Sequence, residues 1–189
     1  MIKTMIKTMI AILLTAALSL YGCTSKQPAS KQASSQPAKS AGPAPDFELE
    51  KVSGGILKSD DIKGKVTIVD FWATWCQPCI QEIPNFNKIH ESHDGKGVQM
   101  LAITVESGSL DEIKPKVKEL NMKYPVVVGN DKVVEGFGGL IGFPTTFVVT
   151  QDWKIYKKYL GMTPKKRELL EKDITTLLAQ PPEHPGPSD

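Results

Sequence analysis

Two neighbouring runs restrict this chain more than any other feature. Val66-Thr67-Ile68-Val69-Asp70-Phe71 is a continuous apolar run broken only by Asp70, the pattern of a strand buried on both faces of a sheet. After four intervening residues, Cys76-Gln77-Pro78-Cys79 opens a segment predicted to be helical over 78–90, with Ile80, Ile83, Phe86 and Ile89 spaced three apart along one side. A buried strand that turns directly into an amphipathic helix requires a layered domain in which helices cover a sheet.

The rest of the chain alternates in the same way. Phe47 to Val52 reads as a strand, and Gly54-Gly55 turns the chain into a second short strand and a helical turn near 59–62. After the helix at 78–90 come a strand at 98–105, a helix at 110–120, a strand at 125–128, a short helix at 132–137, and strands at 145–149 and 155–160. The last helix is expected to start with Thr163 as N-cap and Pro164 at its first position, and to bury a stripe of Leu169, Leu170, Ile174, Leu177 and Leu178. This order predicts one α/β domain, residues 45–180, with a central mixed sheet flanked by helices. A length of 189 residues with 40% hydrophobic content also suits a single core.

Both ends lie outside that domain. Lys3 and Lys7 precede an apolar run from Met9 to Leu20 that is short for a membrane span, so residues 1–22 read as a cleaved targeting segment. The repeat of Met-Ile-Lys-Thr at 1–4 and 5–8 leaves Met5 open as the true start. Leu20-Tyr21-Gly22-Cys23 resembles a bacterial lipobox, with Cys23 the lipidated residue, although Tyr21 occupies a position that is usually small. The alternative is cleavage by an ordinary signal peptidase, which would leave Cys23 a free thiol. Either route takes the domain out of the cytoplasm, and the lipid anchor would hold it on the extracytoplasmic face of a bacterial membrane, on the periplasm side or the cell surface.

Residues 24–44 hold no aliphatic side chain larger than Ala and cannot bury enough apolar surface to fold. As a flexible tether they would hold the domain on the order of 25 Å from Cys23. Residues 181–189 form a similar tail. Without residues 1–22 the chain has 21 basic and 21 acidic residues, which speaks against a nucleic-acid-binding surface.

With Cys23 assigned to the anchor, Cys76 and Cys79 remain as one close pair. Two cysteines so near each other close almost no loop and make a poor structural staple, so chemistry is the better assignment. Disulfide exchange needs an accessible thiolate to attack and a second thiol to resolve the mixed disulfide. At a helix N-terminus the exposed N–H groups and the macrodipole favour the Cys76 thiolate, and Cys79 follows about one turn later, shielded. The competing reading is half of a zinc site, but His90, His93 and His184 are the only histidines and none neighbours a further cysteine pair. No metal and no cofactor are expected.

Two carboxylates bracket the dithiol, and either could take the proton that Cys79 must lose. Asp70 interrupts a buried strand, where desolvation raises a carboxyl pKa toward neutrality; the alternative is a polar strand end facing water. Glu82 lies one helical turn beyond Cys79 on the same side, against the alternative of an ordinary solvated face. Trp75 would flank the reactive sulfur or simply pack.

The run Val69-Asp70-Phe71-Trp72-Ala73-Thr74-Trp75-Cys76-Gln77-Pro78-Cys79, with Pro84 in the following helix and Gly142-Phe143-Pro144-Thr145-Thr146 later, resembles the thioredoxin superfamily and within it the TlpA/ResA-type membrane-anchored thiol–disulfide oxidoreductases. The 68 positions from Cys76 to Pro144 suit that type's inserted strand and helix, and Pro45-Asp46-Phe47 with Gly64-Lys65-Val66 resembles its N-terminal hairpin. The resemblance implies a thioredoxin-like fold, a cis bond before Pro144, and substrate contact at Phe143 and Pro144. Glu82 matches a glutamate of the ResA-like members, whereas Asp70 matches thioredoxin itself, where many TlpA/ResA-type proteins carry Asn. Which carboxylate moves the proton is left open.

By the same resemblance the chain should reduce disulfides in exported proteins, apocytochrome c among them, as a monomer fed by a membrane electron donor of the CcdA/DsbD kind. Gln77-Pro78 carries no cation that would strongly stabilise the thiolate, which favours a reductant over a strong oxidant. Two competing functions are a thiol peroxidase, whose Pro and Thr do not precede Cys76 in the needed arrangement, and a copper or haem chaperone, which would want wider cysteine spacing and a histidine near the cis-proline.

Overall fold

The computed structural model describes residues 42–180. The targeting segment, Cys23, nearly all of the tether and the tail lie outside the described residues.

An N-terminal hairpin comes first: β1 (Glu48–Glu50) pairs antiparallel with β2 (Ile56–Lys58). Gly54 and Gly55 make its turn at φ +99° and +82°, a region that side chains other than glycine's adopt only with strain. A short 3-10 turn, Ser59–Asp61, leads into the main sheet. Its strands are β3 (Val66–Trp72), β4 (Val98–Thr104), β5 (Val126–Val128), β6 (Thr145–Val149) and β7 (Ile155–Leu160), in the order β5-β4-β3-β6-β7. β3, β4 and β5 run parallel, β6 runs antiparallel to β3, and β7 antiparallel to β6, so the sheet is mixed as expected.

Four helices connect and cover it: α1 (Gln77–His93), α2 (Leu110–Glu119), α3 (Asp131–Gly136) and α4 (Lys166–Leu178). Between α1 and β6 the chain passes through β4, α2, β5 and α3, two strands and two helices, where the resemblance implies an inserted strand and helix.

Strand β3 is buried along its whole length, and its period of two divides the core. Val69 and Phe71 face one layer with Leu101, Ile103, Phe137, Phe147 and Trp153, while Ile68 and Trp72 face the other with Phe86, Ile89, Leu170, Ile174 and Leu177 of α1 and α4. Asp70 has the phase of Ile68 and Trp72 and therefore points under the two helices.

Several boundaries differ from the sequence reading. The Gly42 carbonyl accepts from the Ile155 N–H, Pro43 bridges Lys154 and Ala44 is buried, so residues 42–44, assigned to the tether, pack against the domain. The strand expected over 47–52 is only three residues long: the Lys51 N–H donates to the Gly55 carbonyl and its carbonyl accepts from the Gly54 N–H, closing the hairpin turn, and the Val52 N–H donates to the Val126 carbonyl of β5. α4 starts at Lys166, with Thr163 and Pro164 in the preceding turn; the Thr163 carbonyl accepts from the Lys166 N–H, and the N-cap is Lys165 with no side-chain cap bond. The buried stripe of α4 is Lys166, Leu170, Asp173, Ile174 and Leu177, with Leu178 exposed and Leu169 half-buried. On α1 the buried side is Cys79, Glu82, Ile83, Phe86 and Ile89, so Glu82 takes the place expected for Ile80.

Candidate active site

The connection from β3 to α1 places the dithiol. Cys76 is the N-cap of α1, Pro78 sits in the first turn where its missing N–H is harmless, and the Sγ of Cys76 accepts from the Cys79 N–H at 3.3 Å. Cys76 and Cys79 are joined as a disulfide. Both are buried, Cys76 included at 4% exposure, against the expectation of an accessible sulfur at that position. The cover of the buried cluster that holds both cysteines includes Phe143, which packs against it. Trp75, 58% exposed, meets Phe143 edge to face with centroids 5.7 Å apart.

The loop after β4 holds this cover in place, through residues that the sequence reading did not single out. The Trp75 indole N–H donates to the Glu106 carbonyl (2.8 Å), and the Thr74 N–H donates to the Ser107 hydroxyl (3.0 Å). Ser107 in turn donates to the Val105 carbonyl and accepts from Thr104. Across the site the Phe143–Pro144 bond is cis, the Pro144 carbonyl accepts from the Gly161 N–H (2.8 Å), and the Thr145 hydroxyl donates to the Gly142 carbonyl. Trp75, Ile141 and Met162, all exposed, thus stand on the loops that flank the disulfide.

Beneath the dithiol the interior is charged. Asp70 faces Thr146 across the β3–β6 ladder, and Thr146 donates to its Oδ1 at 2.7 Å. Burial is the main cause that pushes Asp70 up to about 7; Lys166 and the Thr146 hydroxyl oppose it, and Glu82 adds to it. Glu82 is also buried, and desolvation raises it against Lys166 and the Thr163 backbone. Neither carboxylate faces solvent, which removes the surface alternatives for both.

The residue that joins them went unnoticed in the sequence. Lys166, 2% exposed at the start of α4, donates to Glu82 Oε2 at 2.7 Å and to Thr146 Oγ1 at 3.4 Å. A signal existed: Lys166 lies four positions before Leu170, in phase with the apolar stripe, where an unpaired cation would be costly.

A dithiol at a helix N-terminus, set between a cis-proline loop and buried carboxylates on a five-stranded mixed sheet, defines a thiol–disulfide oxidoreductase of thioredoxin-like fold. Residues 41–158 match the AhpC/TSA family model, and the chain belongs to that family. It is 30% identical over 124 residues to a thiol–disulfide oxidoreductase ResA of Bacillus cereus, covering 66% of this chain and 71% of that protein. The ResA of Bacillus subtilis (strain 168) is 30% identical over 118 residues, 62% of this chain and 65% of its own length. Among solved structures, a thiol:disulfide interchange protein of the thioredoxin family from Chlorobium tepidum TLS superposes with a TM-score of 0.66 at 28% identity, over 77% of this chain and 99% of that one.

Proposed function

We propose that this oxidoreductase works as a reductant on exported proteins, of the kind that keeps apocytochrome c thiols ready for haem attachment, on the outer face of a bacterial membrane and tethered there through Cys23. The observation that carries the reading is the helix-capping Cys76–Cys79 pair, flanked by Trp75 and Phe143 and backed by buried carboxylates. Among the described residues no helix is long and apolar enough to cross a membrane, so a membrane donor of the CcdA/DsbD kind would have to meet the domain at its surface.

In the reduced enzyme the Cys76 thiolate, favoured by the N-terminus of α1, attacks one sulfur of a substrate disulfide. The substrate disulfide breaks, a mixed disulfide forms, and the first substrate sulfur leaves as a thiolate that takes a proton from solvent. Cys79 then gives its proton to Asp70 or Glu82, and its thiolate attacks the Cys76 sulfur. The enzyme disulfide forms and the second substrate thiol leaves, so two electrons pass from enzyme to substrate. Asp70 suits the acceptor role because a base with a pKa near 7 exchanges protons most effectively at neutral pH. Phe143 and Pro144 would align the substrate chain, with Trp75, Ile141 and Met162 as its apolar seat. An unfolded, cysteine-containing segment fits such a rim better than a folded surface does.

Trapping tests this. A Cys79→Ser chain should accumulate mixed disulfides with exported cysteine-containing proteins, and Cys76→Ser should accumulate none. Adducts that persist in Cys76→Ser, or a reduction potential of the purified protein as high as a strong oxidant's, would overturn the assignment.

A further inference from the structure

We infer that Lys166 is a positioning residue for proton transfer: it ties Asp70 and Glu82 into one buried network that holds a single exchangeable proton for Cys79. The inference rests on the proposed role of these carboxylates as acceptors, and adds a residue and a charge balance to it.

Four elements contribute one group each: Asp70 from β3, Thr146 from β6, Glu82 from α1 and Lys166 from α4. The contacts form a continuous path. Lys166 Nζ donates to Glu82 Oε2 and to Thr146 Oγ1, and the Thr146 hydroxyl donates onward to Asp70 Oδ1. A further buried titratable neighbour is the Tyr124 phenol, which burial and both carboxylates push upward, so it stays neutral and adds no charge.

The charges do not balance. Asp70 and Glu82 would bring two negative charges, and Lys166 is the one buried cation among the described residues. The buried Asp173 on the same helix belongs elsewhere, bonded to Tyr159 and Lys157. A purely structural ion pair would need only one carboxylate. With two, burial of a net negative charge is avoided by one proton shared over the pair. Glu82 Oε1 has no hydrogen-bond partner and so keeps a lone pair free for that proton.

Lys166 therefore sets how easily the network gives up its proton and becomes a base. Without the ammonium, both carboxylates would hold protons more tightly. Fewer would be ionised at pH 7, and Cys79 would lose its acceptor. An opposite charge at this range lowers a carboxyl pKa by about 1–3 units, so its removal should move the resolving step alkaline by at least about one pH unit and slow it roughly tenfold at pH 7.

The two successive thiol releases from 5,5′-dithiobis(2-nitrobenzoic acid), followed by stopped flow, separate the steps. The first release reports Cys76 attack and the second reports Cys79 resolving the mixed disulfide. The full-length chain with Cys23→Ser serves as parent, so that only two thiols react. For Lys166→Met the expected result is a first phase within about twofold of the parent and a second phase shifted alkaline as above. A second phase with the parent's pH midpoint overturns the proposal. If Lys166→Met does not fold, Glu82→Gln/Lys166→Met removes both members of the ion pair, and its midpoint should lie alkaline of Glu82→Gln alone because Asp70 still loses its cation; identical midpoints overturn the proposal equally. Asp70→Asn and Glu82→Gln keep the two readings apart. If neither slows the second phase, the acceptor role itself falls and this inference with it; if they slow it and Lys166→Met leaves the midpoint unmoved, only the role of Lys166 falls.

Discussion

The two faces of the sheet are built from the same strands yet have opposite interiors. On one side Phe71, Phe137 and Phe147 pack with centroids 4.9–5.8 Å apart beside the tilted pair Phe47 and Trp153, and the buried polar groups from β3 and β6 are the hydroxyls of Thr67 and Thr145. On the other, under α1 and α4, lie all four buried charged residues of the described chain: Asp70, Glu82 and Lys166 in one network, and Asp173 with Tyr159 and Lys157. The aromatic face supplies dispersion and apolar burial at little electrostatic cost. The charged face gives up some of that stability for groups that can titrate near the dithiol. Stability and chemistry are separated by the two-residue period of β3.

The sharpest way to break this contrast is to damage the aromatic face alone. Phe71→Ala should cost about 4 kcal/mol by denaturant unfolding, the usual range for truncation of a buried Phe. The fraction that remains folded should keep the redox chemistry of Cys76 and Cys79. A selective loss of thiol reactivity without loss of stability would mean that the two faces are not separate.

On the charged face the balance depends on pH. Asp70 titrates higher in the folded state, at about 7, than in an unfolded chain, so the fold binds its proton more tightly. That contribution to stability is fully present below about pH 4 and is lost as pH rises to about 7. Asp70→Asn removes the titration. It should therefore gain about 2 kcal/mol over the parent at pH 8, gain nothing at pH 4, and resolve mixed disulfides more slowly. The gain is less than the full shift implies, because the amide brings N–H donors that need acceptors of their own. Equal stability differences at pH 4 and pH 8 would show that Asp70 is no titrating burden.

The smallest effect belongs to the rim, which serves neither core. Trp75→Ala should change stability by no more than about 0.5 kcal/mol, since the side chain is largely exposed. It should raise KM for an unfolded disulfide-bonded protein several-fold and leave the reduction of a small-molecule disulfide nearly unchanged. Equal losses on both substrates would place Trp75 in the chemistry itself.

Much of this architecture was legible because it rests on local pattern. The continuous apolar run of β3, the strands 145–149 and 155–160, and the helix that opens at the dithiol all follow from periodicity and from Pro78 in a first turn. The start of α4 was misread because Thr163-Pro164 is as good a turn as it is a cap, and tertiary contacts decide between the two. Ile80 was overestimated for a related reason: a spacing of three drifts around a helix of 3.6 residues per turn, and only the packed partner shows which side is covered.

Alone, the sequence determined the strand–dithiol–helix unit, the proline loop and the presence of two carboxylates within reach of them, since each is written in residue type and short spacing. Tertiary structure decided what those carboxylates meet. Glu82 and Lys166 are 84 positions apart, and Asp70 and Thr146 are 76 apart. No local propensity couples residues at such distances. The packing of α1 and α4 over one face of the sheet brings them together, and it keeps their charges from water.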